Sequence, residues 1–238
     1  MYTKRNLFQK LQKKYLDNNA QFFEIIKKKH TKQLTRVSFD QGEIIDSYLK
    51  PNTLYYINKG VVMRSFYDYE GNHRALDTVR EKEFIGLSTL LGSIPAYWET
   101  EVLEYCELFV IPESIVANYP QQAYQILGIN HQYHITSLYV SWQEMLSTGK
   151  ERINYALLNL VSRPENSLDE NYFFPNYVTH EMISKFAAVS RSYVTRHILD
   201  LEKEGILHRE KNKMFIRNID ELFVTTPNYS ALYEIESD

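Results

Sequence analysis

Residues 178–207, VTHEMISKFAAVSRSYVTRHILDLEKEGIL, constrain the fold more strongly than any other stretch of the sequence. Thr179 is placed to cap one short helix and Ser190 a second, because hydroxyl side chains accept hydrogen bonds from the first free amides of a helix. Gly205 follows the second helix in a position where glycine commonly ends one. Two helices joined by so short a turn have the arrangement of a helix-turn-helix.

The second of these helices has one apolar and one polar face. Helical spacing puts Val194, Ile198 and Leu201 on the buried side. The residues that turn outward together are Arg191, Ser192, Thr195 and Arg196. In a DNA major groove, arginine can bind guanine through two hydrogen bonds, and hydroxyls add adaptable contacts. A structural alternative is that the two helices pack in a core while the arginines form surface ion pairs, for instance with Asp200 or Glu204.

The stretch that follows, GILHREKNKMFIRN, predicts a strand, a polar basic turn and a second strand. A basic hairpin beside a recognition helix is well placed to contact phosphates. The candidate phosphate contacts on the first helix and the hairpin are Lys185, Arg209, Lys211 and Lys213. We therefore predict a winged helix-turn-helix that binds DNA, with Thr179 and Ser190 among its DNA-facing residues.

Residues 37–111 have a different pattern, in which short apolar runs of period two are divided by Gly, Asn, Pro and Asp. The sharpest turn signal is the segment from Asp68 to Asn72, where Gly71 can adopt a positive φ and join two strands as a hairpin. The INKG segment at 57–60 is a second predicted tight turn. The pattern is typical of an antiparallel barrel or sandwich.

After residue 112 the pattern becomes helical, and a seam of residues steps alternately by four and three. A two-stranded coiled coil needs this spacing, although a helix packed against the barrel would give a similar stripe. The seam consists of Tyr124, Gly128, His131, Ile135, Leu138, Trp142 and Met145. We predict a dimerisation helix, since symmetric dimers are the commonest soluble oligomers. His131 and His134 could bind a metal across the two-fold axis or form a pH-sensitive packing layer, and we predict no metal site.

Charge is distributed unevenly along the chain. The net charge of −3 argues against a nucleic-acid partner, yet residues 1–36 carry a net +8 and residues 177–217 a net +3. The first basic segment fits either a solvated amphipathic helix or a phosphate-binding one. The sequence has neither an apolar stretch of membrane-spanning length nor a signal-peptide core, so we expect a cytoplasmic protein without membrane contact. The single cysteine, Cys106, excludes an intrachain disulfide framework and is expected to be buried and inert.

Over nearly its whole length the sequence resembles the Crp/Fnr family of transcription regulators. Residues 178–207 resemble the family's helix-turn-helix, including its Ser-Arg-x-x-Val-x-Arg core; TLYYINKGVV and EKEFIGLSTLL resemble strands of its effector barrel, and RINYALLNL resembles the first helix after its hinge. The resemblance implies that Arg191 and Arg196 contact DNA. Ser192 replaces a glutamate often present in the family, so we expect a base preference different from that of the cyclic-AMP receptor.

The resemblance also implies where an effector would bind. Cyclic-nucleotide-binding members use a Gly-Glu-Leu turn for the ribose and an Arg-Ser/Thr pair for the phosphate, whereas this chain has Gly86-Leu87 and Tyr97-Trp98. Without those donors a buried phosphate would be left unpaired in a low dielectric, so we expect an effector other than cyclic AMP. The candidate pocket residues are Gly86, Leu87, Ser88, Tyr97 and Trp98. Alternatively, Trp98 fills the space of a former ligand site.

Together these patterns predict an α+β fold made of four segments. They are a basic N-terminal helical segment (1–36), an antiparallel β-barrel of jelly-roll type (37–111), a helical region with a long dimerisation helix (112–148) and a winged helix-turn-helix domain (149–238). The predicted function is binding of a palindromic operator by a homodimer. Predicted partners are double-stranded DNA, RNA polymerase and an unidentified small-molecule effector. An alternative is a ligand-sensing or protein-interaction barrel with non-specific DNA binding.

An enzymatic function is not predicted. His73 is the single histidine of the barrel segment, so the histidine cluster of a metal-dependent jelly-roll enzyme is missing. The sequence also has no Gly-rich phosphate loop and no nucleophile elbow. We predict no cofactor.

Overall fold

The computed structural model describes residues 5–87, 98–129, 131, 147–161, 172–211 and 213–224. They belong to two compact units, one within residues 7–136 and the other within residues 137–238 together with the first six residues. We call these the N-terminal and the C-terminal unit. Several residues with predicted roles lie outside the described residues: Ser88, Tyr97, His134, Ile135, Leu138, Trp142 and Met145.

The described part of the N-terminal unit starts with a long helix, continues through short strands and ends in helix. The bounds are α1 Arg5–His30, β1 Thr35–Phe39, β2 Thr53–Lys59, β3 Val61–Tyr67, β4 His73–Arg80, β5 Phe84–Ile85, β6 Glu99–Val102, β7 Cys106–Pro112, α2 Glu113–Val116 and α3 at 120–129. The strands form two antiparallel sheets, with the orders β1-β7-β2-β5 and β4-β3-β6.

The core of the N-terminal unit lies between these sheets. Ile57 and Leu108 from the first sheet and Val62, Val79 and Val102 from the second belong to one buried apolar cluster. The predicted α+β class is confirmed, with the correction that the described sheets are not closed into a single barrel. Period-two alternation cannot distinguish the two arrangements, because a barrel and a pair of packed sheets both bury one face of every strand.

Both predicted tight turns are present. In the β3–β4 hairpin the Asp68 amide donates to the Asn72 carbonyl at 2.9 Å, and Gly71 has a φ of +80°. Gly60, between β2 and β3, has a φ of +92°. A Cβ atom there would lie 2.4 Å from the Tyr105 carbonyl oxygen. Both the positive φ and the close backbone therefore require glycine at this turn.

Helix α1 packs on the first sheet through one apolar face. Phe22, Phe23 and Ile26 are buried, and the Phe23 ring stacks on Tyr56 with 3.8 Å between ring centroids. Lys13, Lys14, Lys28 and Lys29 are exposed, whereas Lys27 is half-buried with its Nζ atom 5.6 Å from the centroid of the Phe23 ring. The described part of α1 is thus an amphipathic helix whose apolar side belongs to the core.

The C-terminal unit contains a small sheet among short helices. Its described elements are α4 Gly149–Leu160, β8 Tyr172–Phe173, α5 His180–Ala187, α6 Arg191–Lys203, β9 Leu207–Glu210, β10 Lys213–Ile216 and α7 Ile219–Val224. The sheet has the order β8-β10-β9 and is antiparallel. Thr148 and Glu151 cap the start of α4 reciprocally. The predicted pair of helices and the strand-turn-strand that follows it are confirmed.

Candidate nucleic-acid interface

The turn between α5 and α6 is set by local hydrogen bonds. Thr179 Oγ1 accepts from the Met182 amide at 3.1 Å, and Ser190 Oγ accepts from the Tyr193 amide at 3.3 Å. Each hydroxyl thereby satisfies an amide of the first helical turn that has no partner within the helix. Between the helices, Ala188 adopts the left-handed conformation, with φ 50° and ψ 46°. This left-handed residue ends α5, and its amide donates to the Ser184 carbonyl.

The buried face of α6 has the composition that its sequence predicts. Val194, Ile198 and Leu201 are buried, whereas Arg191 and Arg196 are exposed. Among these exposed side chains, the Arg196 guanidinium lies 5.7 Å from the centroid of the Tyr193 ring. Ser192 is exposed as well and contacts the hydroxyl of Ser190 at 3.1 Å. The outer surface of the first turns of α6 is therefore polar and cationic.

The alternative in which the α6 arginines form ion pairs is not realised. Asp200 lies 3.6 Å from Lys203 and 4.0 Å from Lys150 instead. Within the part of the chain that the structure describes, neither Arg191 nor Arg196 has a carboxylate within salt-bridge distance. Both cations are thus available to an anionic partner.

Thr195 differs from its exposed neighbours on α6 because its hydroxyl is already bonded. Thr195 Oγ1 donates to the Arg191 carbonyl at 3.1 Å and lies 2.9 Å from His180 Nδ1. The side chain is half-buried. The hydroxyl predicted to contact a base therefore has two partners within the unit.

The hairpin of β9 and β10, which we call the wing, carries the predicted basic residues on its surface. Arg209, Lys211 and Lys213 are exposed, and Lys211 has a positive φ of 46° at the tip. Arg209 Nε donates to Glu202 on α6 at 2.6 Å. The last predicted phosphate contact, Lys185, is half-buried in the final turn of α5. The wing is thus attached to α6 through Arg209.

Behind this surface, a buried polar contact joins α6 to α4. His197 Nε2 donates to Asn154 Oδ1 at 2.8 Å, and both side chains are buried. Burial, and to a lesser extent the nearby Lys150, lower the pKa of His197 to about 4, so the ring is neutral near pH 7. This contact was not predicted from the sequence. The helical spacing does indicate that His197 is buried, because position 197 lies on the same helical face as Val194 and Leu201.

Arg152 also joins parts of the C-terminal unit in a way that was not predicted from the sequence. Its Nε donates to the Ala187 carbonyl at 2.8 Å, and its Nη1 donates to the Ser147 carbonyl at 3.2 Å. The guanidinium thereby satisfies a carbonyl in the last turn of α5, where intrahelical partners end. The contact with Ala187 joins residues 35 positions apart, so no local sequence pattern predicts it.

The candidate effector segment is only partly within the described residues. Gly86 has a φ of +91°, and Leu87 packs against the apolar cluster that contains Phe22 and Phe84. The half-buried Trp98 ring lies 4.8 Å from the Arg64 guanidinium. Leu87 thus places an apolar side chain next to Gly86 in this segment.

Arg64 itself is neutralised by a neighbour on the adjacent strand. Its Nε donates to Asp77 Oδ1 at 2.7 Å, and its Nη2 contacts the other carboxylate oxygen. The pair is arranged for two parallel hydrogen bonds, which is the strongest geometry for arginine and carboxylate. The edge of the Arg64 guanidinium that carries Nε and Nη2 is therefore already occupied by Asp77.

Gly128 of the predicted dimerisation seam lies within the described residues, as do Tyr124 and His131. Both are exposed on the single chain, and 74% of the Tyr124 surface is accessible. Among the residues that the structure describes, no group of three or more His, Cys, Asp or Glu side chains is arranged to hold a metal ion. No helix in the described ranges has both the length and the apolar character needed to cross a membrane.

Comparisons with known proteins agree with this architecture. The model of the cyclic nucleotide-binding domain matches residues 36–122, and the model of the Crp-like helix-turn-helix domain matches residues 151–223. Together they span more than half of the chain. The HTH-type transcriptional regulator ArcR of Staphylococcus epidermidis is 22% identical over 184 residues, which is 75% of this chain and 80% of ArcR.

Solved structures have the same fold at low sequence identity. A cyclic nucleotide-binding domain containing protein from Listeria monocytogenes matches with a TM-score of 0.69 and 17% identity, over 86% of this chain and 99% of that one. A transcriptional regulator of the CRP/FNR family from Thermus thermophilus matches with a TM-score of 0.56 and 22% identity, over 81% and 98%. The fold and the helix-turn-helix define a DNA-binding transcription regulator of the Crp-like class. The chain belongs to the Crp/Fnr family.

Proposed function

We propose that this regulator binds a palindromic operator as a homodimer and that α6 recognises the base sequence in successive major grooves. The observation that carries the proposal is the pair of exposed arginines, Arg191 and Arg196, which have no carboxylate partner in the described part of the chain. An unpaired guanidinium can form two hydrogen bonds with guanine without first breaking an ion pair. Ser192 adds an exposed hydroxyl beside them.

The wing supplies the phosphate contacts in this proposal. Lys211 and Lys213 are exposed at its tip, and Arg209 stands on its first strand. Contacts to phosphate orient a protein on the duplex without recognising sequence, whereas contacts to base edges provide specificity. Lys185, at the end of α5, is a further candidate for the backbone of the DNA.

Homodimerisation would place two copies of α6 about one DNA turn apart. Tyr124 and His131 of the predicted seam are exposed on the single chain, so both are accessible to a second copy of the helix. We propose the hinge near Gly149, at the start of α4, as the boundary between the dimerisation helix and the DNA-binding domain. A chain with these properties would act without enzymatic chemistry.

The effector in this proposal is a ligand other than cyclic AMP. Leu87 packs in the apolar core beside Gly86 and offers no carboxylate to ribose hydroxyls. Trp98 lies over Arg64, whose other contacts go to Asp77. A cyclic phosphate would have to compete with that bidentate pair in a partly buried setting, which is unfavourable.

Selection of bound sequences from a random duplex pool tests this function. The purified full chain, without added ligand and at a stated salt concentration, is expected to enrich a site with two-fold symmetry. Addition of cyclic AMP is expected to leave the enrichment unchanged. Salt-sensitive retention of all sequences without enrichment would overturn the proposal of sequence-specific recognition and favour a ligand-sensing or protein-interaction module.

A further inference from the structure

His180, the first residue of α5, contacts both the recognition helix and the wing. Its Nδ1 atom lies 2.9 Å from the Thr195 hydroxyl on α6, and its Nε2 atom lies 2.9 Å from Arg209 Nη2 on β9. The ring is half-buried between them. These two contacts join His180 to residues that lie 15 and 29 positions further along the chain.

The partners of His180 fix its protonation. Arginine can only donate, so His180 Nε2 accepts from Arg209 and carries no hydrogen. The Thr195 hydroxyl gives its own hydrogen to the Arg191 carbonyl at 3.1 Å, so it accepts from His180 Nδ1. All of these hydrogen bonds are satisfied together only by the neutral ring with its hydrogen on Nδ1.

The charges around His180 favour this neutral form. Burial lowers the pKa of the ring, and the cations Arg209 and Arg191 lower it further. Glu202 acts in the opposite direction, but it is engaged by Arg209 Nε at 2.6 Å. A second hydrogen on Nε2 would point at the Arg209 guanidinium and break the contact.

We propose that His180 is a positioning residue for DNA binding, which holds the wing arginine Arg209 and the α6 residue Thr195 in a fixed relation to each other. The inference rests on the proposed function, because it requires that α6 and the wing bind one duplex. Glu202 and His180 together hold two nitrogens of Arg209, while 49% of the side chain remains accessible. A phosphate contact from this pre-ordered side chain loses less conformational entropy than one from a free arginine.

Substitutions at His180 can separate its two contacts. In His180→Asn the side-chain amide can replace Nδ1 and donate to Thr195, but it is too short to reach Arg209. In His180→Gln the longer side chain can accept from Arg209 in place of Nε2. If the Arg209 contact positions the wing, His180→Asn weakens binding of the selected duplex about 3- to 10-fold, the usual net value of one hydrogen bond, and His180→Gln restores most of that loss.

A double-mutant cycle with Arg209→Ala distinguishes positioning from a general structural role. Affinity for the selected duplex is measured by fluorescence anisotropy for the wild type, His180→Asn, Arg209→Ala and the double variant of the full chain, with thermal unfolding confirming that each is folded. The loss caused by His180→Asn is expected to vanish in the Arg209→Ala background, because the two residues act through one contact.

The possible results distinguish the role of His180 from the proposed function. An equal loss in both backgrounds, or no loss from His180→Asn in the wild-type background, would overturn the role of His180 while leaving DNA recognition intact. Failure of the wild type itself to bind the selected duplex more tightly than a random one would overturn the proposed function, and with it this inference. Loss in the wild-type background alone supports the positioning role.

Discussion

At the scale of single residues, two buried ionisable side chains give this protein opposite pH dependences in its two units. His197 in the C-terminal unit has a pKa lowered to about 4, and Glu83 in the N-terminal unit has one raised to about 7. Burial is the main cause of both shifts, because it disfavours the charged form of either group. His197 is therefore neutral between about pH 4 and 6.5, where an exposed histidine would be charged. Glu83 is neutral between pH 4.5 and about 7, where an exposed glutamate would be charged.

The C-terminal unit should lose stability on acidification. The pKa of His197 falls from 6.5 to about 4 on folding, so the unfolded chain binds more protons between those values and stability declines as the pH falls through that window. The full effect is on the order of 3 kcal/mol. His197→Gln keeps a donor for Asn154 but cannot titrate. Denaturant unfolding between pH 4 and 7 should show a weaker pH dependence in this variant, and an unchanged dependence would contradict the account.

The N-terminal unit should behave in the opposite way. Burial raises the pKa of Glu83 from 4.5 to about 7, although its carboxyl accepts from the Arg80 amide at 2.8 Å. Ionisation is therefore resisted in the folded unit, and stability falls as the pH rises from 4.5 through about 7. Glu83→Gln preserves an acceptor for that amide without a charge. Calorimetric unfolding at several pH values should find the variant gaining stability relative to the wild type as the pH rises, and a constant difference would refute this.

At the scale of elements, the turn between α5 and α6 holds a local strain that a substitution can relieve. Ala188 has a φ of 50°, which costs roughly 1 kcal/mol or more for a residue with a Cβ atom. Ala188→Gly should stabilise the chain by about 0.5–1 kcal/mol after the greater freedom of glycine in the unfolded state is included. Ala187→Gly, one residue earlier in helical conformation, is the matched control and should destabilise it. Thermal unfolding of both variants decides the point, and two losses of similar size would contradict it.

The ends of these elements were predictable from the sequence, whereas the contacts between them were not. Thr179, Ser190 and Gly205 mark helix boundaries because capping depends on residues adjacent in the chain. The left-handed conformation of Ala188 was not predictable from the sequence, since alanine does not favour it. The contact of His180 with Arg209 joins residues 29 positions apart, so it depends on the packing of the wing. The sequence predicted the exposure of Arg191, Ser192 and Arg196, but not that Thr195 is half-buried with its hydroxyl already bonded.

At the scale of the whole molecule, the region that contains the helix-turn-helix is positively charged within an acidic chain. Its net charge is −3, yet residues 177–217 carry a net +3. Binding to phosphates releases counterions, so affinity should fall steeply with salt. Lys211→Ala and Lys213→Ala should each reduce the slope of log affinity against log salt by about 1, equally for selected and random DNA.

Lys203→Ala is the matched control for this salt dependence. Lys203 is an exposed lysine of the same unit that lies at the last turn of α6 and contacts Asp200 at 3.6 Å. Its removal should leave the salt slope unchanged, because Lys203 is paired with Asp200 and is not among the proposed phosphate contacts. Equal slopes for the wild type and both wing variants in a salt titration would exclude the wing from the phosphate contacts.

The central claim, that α6 recognises base sequence, is tested most directly by Arg196→Ala with affinities for the selected and a random duplex measured at one salt concentration. We predict a loss of about 1–3 kcal/mol on the selected duplex, relaxed preference at one base pair in each half-site, and little change on random DNA. Arg217→Ala removes an exposed arginine outside α6 and should change both affinities by the same factor. An equal loss on both duplexes for Arg196→Ala would contradict sequence recognition by this residue.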